Sequence, residues 1–313
     1  MKLREFPFIQ SKRTFFIISL CLIVLTLLAT VIFGVNLDIS FKGGTIITYS
    51  FDGDLDANAL RQAAEDHLGQ GVSVQQQTNA TTGRTNYVLS LTSSDGLTLD
   101  EQGALQDALS SRFGGNNLQM ASINNVNPTI GREFFTKCLV AVAIAALLMV
   151  VYIAFRFRRI GGWSAGVFCV VALLHDLMVV YLTFVVCRFP INENFIAVML
   201  TILGYSINAT IVVYDRIREN RRRYGAKADL GELVDKSINQ SMLRAVNTTI
   251  TTSAAMIVIC IIALTRGVSS IMSFAFPLLI GICAGLYSSV CLSGPLWVTW
   301  QRYKAAKKNQ AST

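Results

Sequence analysis

Apolar and polar positions alternate along this chain in long blocks, not in single-residue periods. Five stretches carry no Asp, Glu, Lys or Arg: 14–37, 138–155, 194–214, 245–265 and 267–301. Each is long enough to cross the hydrocarbon core of a bilayer as a helix, which takes about 20 residues. A sixth stretch, 161–187, is interrupted only by His175-Asp176. The pattern predicts six membrane helices, at 14–37, 134–156, 161–187, 194–214, 245–265 and 270–300. The first is too long for the apolar core of a signal peptide and has no small-residue cleavage site, so it reads as a retained anchor.

Between the first two helices lies the polar segment 38–133, where a shorter periodicity takes over. "GGTIITYSF" is rich in β-formers, and "LDANALRQAAEDHLG" has helical apolar spacing between a candidate N-cap, Asp56, and a closing Gly69. "VSVQQQT" and "NYVLSL" read as strands around a turn at "NATTGRT". "TLDEQGALQDALSSRFGG" opens with Thr98-x-x-Glu101, a capping-box pattern, and "LQMASINNV" supplies a last strand. The order β-α-β-β-α-β is that of a ferredoxin-like split unit. The fold class expected is therefore α-helical multi-span membrane protein, with a small α+β domain between spans one and two.

Composition agrees with lipid as the solvent. Of 313 residues, 52% are hydrophobic and 15% charged, against about a quarter charged in an ordinary soluble protein. Charge also orients the chain. With residues 1–13 on the cytoplasmic side, the inner segments, among them a basic loop 215–244 and a tail 301–313, hold 19 of the 27 Lys and Arg. The two short outer loops then hold only Arg188 and Arg266, as the positive-inside rule requires. The net charge of +8 is thereby explained without a nucleic-acid partner. The segment 38–133, with eleven acids against five bases, would lie outside. "GELVDKSINQSML" within the basic loop has the spacing of a helix lying along an anionic membrane surface.

Few residues carry chemistry. Asp176 sits near the middle of span three, where a charge costs about 2.5–3.5 kcal/mol on insertion scales. It is read either as a proton- or ion-handling group or as an acceptor for polar groups on a neighbouring helix. His175 points about 100° away around the helix, so the two need not share a partner. Ser206, Asn208 and Thr210 in span four match a second polar cluster, "NTTITTS" at 247–253, and such residues pack and hydrogen-bond helices in lipid. Arg244 enters span five from the basic side, where it either snorkels or pairs with an acid. "GWSAG" at 162–166 resembles a nucleophile elbow but opens a membrane helix, and the chain is read as no enzyme. There is no P-loop, HExxH or zinc spacing, and the seven cysteines fall in or beside apolar runs. No metal or other cofactor is implied.

Four stretches together resemble the SecD/SecF family of protein-export membrane proteins, within the resistance-nodulation-division superfamily, and more narrowly its smaller half. "SFKGGT" at 40–45 is similar to the family's D-F-x-G-G-T, with Phe41, Gly43 and Gly44 matching. "VNPTIGRE" at 126–133 is similar to V-x-P-x-x-G-x-E, through Pro128, Gly131 and Glu133. "HD" recurs at 175–176. "GYSINATIVVYDRIREN" (204–220), with "SINQSMLRAVNTTITTS" (237–253), is the most specific.

The resemblance implies a subunit of a bacterial cytoplasmic membrane that acts with a SecD-like subunit beside the Sec channel. Emerging polypeptides would be its cargo, protons its energy source and membrane lipids its surroundings. It also implies a proton path through the polar cluster of span four, closed at the cytoplasmic exit by Asp215, Arg216, Arg218 and Glu219. Two positions depart from the family: Ala209 stands where S-x-N-D-T has its acid, and Ser40 replaces the acid of D-F-x-G-G. Arg244 matches the arginine placed near the missing acid. The rival readings are half of a small-molecule or lipid exporter of the same superfamily, and an assembly subunit that conducts no protons.

Overall fold

In lipid every backbone N–H and C=O must find an internal partner, so apolar runs of this length close into helices. The computed structural model describes residues 6–78, 85–91, 97–126, 128–158, 162–225, 228–266 and 268–310. Within them lie six helices long and apolar enough to cross a membrane. They are α1 (Lys12–Phe33), α5 (Pro128–Arg156), α6 (Gly162–Val186), α7 (Glu193–Tyr224), α8 (Leu230–Thr265), and a last span built in three pieces. Those pieces are α9 (Ser269–Tyr287), a π-helical turn (Ser288–Ser293) and α10 (Gly294–Gln310). Helix α6 lies at the centre, packed against α1, α5, α7 and α9.

The basic segment 215–244 differs from the expected loop. Helix α7 runs unbroken to Tyr224, because Arg and Glu are good helix formers and the pairs Asp215–Arg218 (2.9 Å) and Arg216–Glu219 (2.6 Å) stitch successive turns. It stops at Gly225, whose φ of 79° needs a residue without Cβ. Helix α8 starts five residues later on the N-cap Asp229 and continues to Thr265, so "GELVDKSINQSML" is the first half of span five and not a separate surface helix. Its face Leu233, Val234, Ser237, Ile238 and Ser241 is buried. Asn220 of α7 anchors it, donating to Ser237 Oγ (2.8 Å) and Gln240 Oε1 (2.9 Å). The N-terminal segment completes the wall: Asp235 Oδ1 accepts from the Ile9 amide at 2.8 Å, and Asn239 exchanges hydrogen bonds with the Phe6 backbone.

The polar segment holds a short α2 (Ile39–Lys42), then β1 (Gly44–Ser50), α3 (Ala57–Leu68), β2 (Val72–Thr78), β3 (Thr85–Leu91), α4 (Leu99–Arg112) and β4 (Gln119–Val126). The four strands form one sheet in the order β2-β3-β1-β4, antiparallel at every neighbour. Helices α3 and α4 contribute Leu60, Ala64, Leu105 and Leu109 to a core with Ile47, Tyr49 and Leu89. Burial pushes the Tyr49 phenol up to about 12. Asp56 caps α3, Gly69 ends it in the left-handed region, and Thr98 with Glu101 forms the reciprocal capping box of α4. The turn expected at 79–84 lies outside the described residues.

A tight joint attaches this unit to the spans. Asp38 caps α2, accepting from the amide and the hydroxyl of Ser40 (2.9 and 2.8 Å). Phe41 is buried against Phe134 and Phe135 of α5. Gly43 and Gly44 take φ of 82° and 141° to turn the chain into β1, which a side chain would resist. At Gly131 a Cβ would sit 2.9 Å from the Ser40 carbonyl oxygen, so α5 touches α2 backbone to backbone. Glu133 is exposed and pairs with Lys137, 2.8 Å away on its own helix. Pro128 opens α5, and its side chain lies outside the described residues. On the other flank residues 36–38 bond to Ile191, and Arg188 donates to the Phe33 carbonyl at the end of α1.

Gly131→Ala should lower the thermal midpoint of the detergent-solubilised chain, overpacking of this kind costing about 1–3 kcal/mol; an unchanged midpoint would show that the joint yields freely. Glu101 gives a pH test. The Thr98 amide and hydroxyl hold its carboxyl below the usual range, so its contribution is present at neutral pH and disappears as pH falls through the lowered value. Hydrogen exchange of α4 should therefore show the protective effect of Glu101, relative to Glu101→Ala, at pH 7 but not in strong acid.

Candidate functional site

Asp176 is fully buried where α6, α7 and the last span meet. Its Oδ2 accepts from Ser206 Oγ of α7 at 2.5 Å and from Ser288 Oγ of the π-turn at 2.7 Å. Its Oδ1 lies 3.2 Å from His175 Nδ1. Although the two side chains leave the helix about 100° apart, the imidazole folds back onto the adjacent carboxylate. His175 Nε2 is buried and has no hydrogen-bond partner among the described residues. Its ring lies 5.7 Å from that of Tyr287, whose hydroxyl bonds the Phe15 carbonyl and Ser19 of α1.

A ladder of hydroxyls continues from the carboxylate toward the charged end of α7. Thr210 Oγ1 shares a hydrogen bond with Ser289 Oγ (2.8 Å) and donates to the Ser206 carbonyl. Ser293 donates to the Ser289 carbonyl (2.9 Å), and the Tyr214 hydroxyl donates to the Ser293 carbonyl (3.1 Å). All of these side chains are buried. Two backbone features make the ladder possible. At Gly285 a Cβ would stand 3.2 Å from Ser206 Cβ, so a glycine lets α9 approach α7 closely. The wide π-turn that follows lets the adjacent residues Ser288 and Ser289 serve different partners, Asp176 and Thr210. Such turns often mark functional positions in helices.

The ladder ends under a layer of ion pairs. Tyr214 packs on Phe157 and Trp297, and Arg156 and Arg218 lie over the Phe157 ring. Both guanidinium groups reach Asp215, at 3.1 and 2.9 Å. Beside them an open cleft between α7 and α8, about 730 Å³, is lined by Arg216, Arg222, Arg223 and Arg244.

The structure thus gathers Asp176, His175, Ser206 and Thr210 into one network and leaves Asn208 and Arg244 out of it. Asn208 is exposed on α7 and Arg244 on α8, and Ala209 is half-buried between Asn208 and Thr210. In the span-five cluster Thr248, Thr251 and Thr252 donate to carbonyls of their own helix, and Thr249 Oγ1 accepts from the Tyr205 hydroxyl of α7 at 3.5 Å. The network's other partners are Ser288, Ser289 and Ser293, which the sequence reading passed over inside an uncharged run. Their spacing was the available signal: Ser288 and Ser289 stand three and four residues beyond Gly285, and Ser293 four beyond Ser289.

If the network is held by matched hydrogen bonds, Asp176→Leu should destabilise the solubilised chain well beyond Asp176→Asn. The apolar side chain strands two buried hydroxyls at about 1–3 kcal/mol each, whereas the amide keeps an acceptor. Equal thermal midpoints for the two variants would sink this account.

Comparison with known proteins places the arrangement. Residues 106–303 match the family described as protein export membrane protein SecD/SecF, C-terminal. The protein translocase subunit SecF of Acidaminococcus fermentans is 34% identical over 302 residues, covering 96% of this chain and 99% of its own. The protein translocase subunit SecDF of Bacillus subtilis is 28% identical across 98% of this chain, which spans 40% of that longer protein. The crystal structure of SecDF from Thermus thermophilus, described as a translocon-associated membrane protein, superposes with a TM-score of 0.79 at 29% identity. It covers 96% of this chain, and the chain spans 39% of that structure. This chain therefore belongs to the SecD/SecF family of protein export membrane proteins.

Proposed function

We propose that the chain is the SecF-like subunit of a bacterial protein translocase, working in the cytoplasmic membrane with a SecD-like partner beside the Sec channel. The observation that carries this is likeness to SecF along nearly its whole length, together with a match to only 39% of a SecDF chain. The unmatched remainder of SecDF corresponds to the partner half. Emerging polypeptides are the cargo, and the proton-motive force drives the cycle.

The unit between α1 and α5 is read as a ferredoxin-like domain facing outward. The strand order β2-β3-β1-β4 and the antiparallel pairing support the fold, and its excess of acids supports the side. Both chain termini are then cytoplasmic.

The exposed faces of α7 and α8 form the surface for the partner. They carry Asn208, Asn247, Thr248 and Arg244 among exposed Leu243 and Ile250. Amides and a guanidinium turned outward from a membrane helix are costly against lipid and favourable against protein. The proton path runs along this surface. There Arg244 meets an acid from the partner, because Ala209 supplies none. Asp176, enclosed on every side, acts as the latch that holds α6, α7 and the last span together.

Purification from native membranes in mild detergent, with mass spectrometry of what remains bound, tests the assignment. A SecD-like protein and the Sec channel are expected; the chain alone, or an outer-envelope efflux component, would overturn it in favour of an exporter half. Protein export into inverted vesicles tests the path. Ala209→Asp should alter the dependence of export on the proton gradient, while Asp176→Asn should leave that dependence in place. The reverse pattern would move the proton to Asp176. No response to a protonophore in any variant would favour an uncoupled assembly subunit.

A further inference from the structure

A second cleft opens where the end of α5, the start of α6 and α10 converge. Its volume is about 800 Å³. Arg158 and Lys304 stand at its rim, Trp163 and Trp300 flank it, and Val167 and Phe168 form a wall that runs on along α6. Its floor is pinned: Ser164 Oγ accepts from Trp297 Nε1 (3.2 Å) and from Gln301 Nε2 (3.0 Å). Trp297 is fully buried, whereas Trp163 and Trp300 are 72% and 45% exposed.

Three features select the occupant. Among the described residues no carboxylate lines this cleft, and none there pairs with its two cations. In the arginine cleft of α7, by contrast, Asp215 and Glu219 already engage Arg218 and Arg216. Exposed tryptophans belong at the boundary between headgroups and acyl chains, where an amphipathic ring is half dry and half wet. The wall beneath the cations is apolar, which suits a chain and not a free ion. Basic pockets between helices on the cytoplasmic side are where anionic headgroups bind.

We propose that this cleft is a binding site for one anionic phospholipid. Arg158 and Lys304 take its phosphate, the two tryptophans flank its glycerol region, and an acyl chain lies along Val167 and Phe168. The inference requires that the helices span a membrane, and it stands apart from any role in export.

The tryptophans report on the site directly. The full chain in detergent is titrated with phosphatidylglycerol carrying brominated acyl chains, a contact quencher, and in parallel with brominated phosphatidylcholine. Phosphatidylglycerol should quench at about tenfold lower concentration, each basic residue near a headgroup contributing on the order of a severalfold preference. Arg158→Gln combined with Lys304→Gln should abolish the difference at an unchanged thermal midpoint, and Arg216→Gln with Arg222→Gln should preserve it. If the first pair unfolds, Lys304→Arg and Lys304→Gln are compared instead, with the preference kept in the former and reduced in the latter. Equal quenching by the two lipids, or a preference that survives loss of both cations, would overturn the site. Relief of quenching by excess inorganic phosphate would also overturn it, making the cleft a soluble-anion site.

Discussion

The arrangement of spans depends on one carboxyl group buried completely between helices. Burying an unmatched charge in apolar surroundings costs far more than folding can supply, so Asp176 dictates what its neighbours must be. Two hydroxyls and an imidazole meet it, from three segments that are far apart in sequence. Each demand propagates. Ser206 reaches it from α7, which Gly285 of α9 approaches closely, and Ser288 reaches it from the π-turn that follows α9. Gly281, one turn earlier, repeats the close approach: a Cβ there would meet Ile202 and Val180 at 2.6–2.8 Å. Helix α6, the helix that bears the acid, also packs against α1, α5, α7 and α9.

Much of this fold could be read from the chain, because lipid imposes a simple rule. A run without charge must be a helix, and six such helices are present among the described residues. Strand alternation in the polar segment was legible for the same kind of reason: Ile47 and Tyr49 point inward where Thr48 and Ser50 point out. Charge misled where it was taken to end a helix. Residues 215–224 and 230–244 are helical although they are rich in Arg, Asp and Glu, since i,i+3 ion pairs and buried Ile217, Asn220 and Ile238 sustain the turns. A span ends where the lipid ends; the helix ends where Gly225 and Asp229 place it.

The site was half legible. Asp176 announced itself by its cost, and Ser206 and Thr210 by their polarity in an apolar run. Ser288, Ser289 and Ser293 did not, because serine is unremarkable in a membrane helix, where its hydroxyl ordinarily bonds its own backbone. What sets them apart is a π-turn, and no periodicity argument foresees a helix that changes pitch. Asn208 and Arg244 stand apart from this network, because their positions on α7 and α8 turn them outward.

That outward turn gives Ala209, where the resemblance implies an acid, a physical meaning. An acid there would stand on α7 between exposed Asn208 and buried Thr210, at the border between the ladder and the outer surface. Alanine at this border leaves the two polar systems separate. The inner one is closed around Asp176, and its hydroxyls are engaged with one another. The outer one keeps a guanidinium at Arg244 that shares its cleft with Asp215 and Glu219, both of which already hold other arginines. A cation on an exposed membrane-helix face, with the nearby acids engaged elsewhere, is stabilised best by an acid arriving on another chain. In the proposed assembly, Ala209 therefore leaves Arg244 to be met by an acid from the partner.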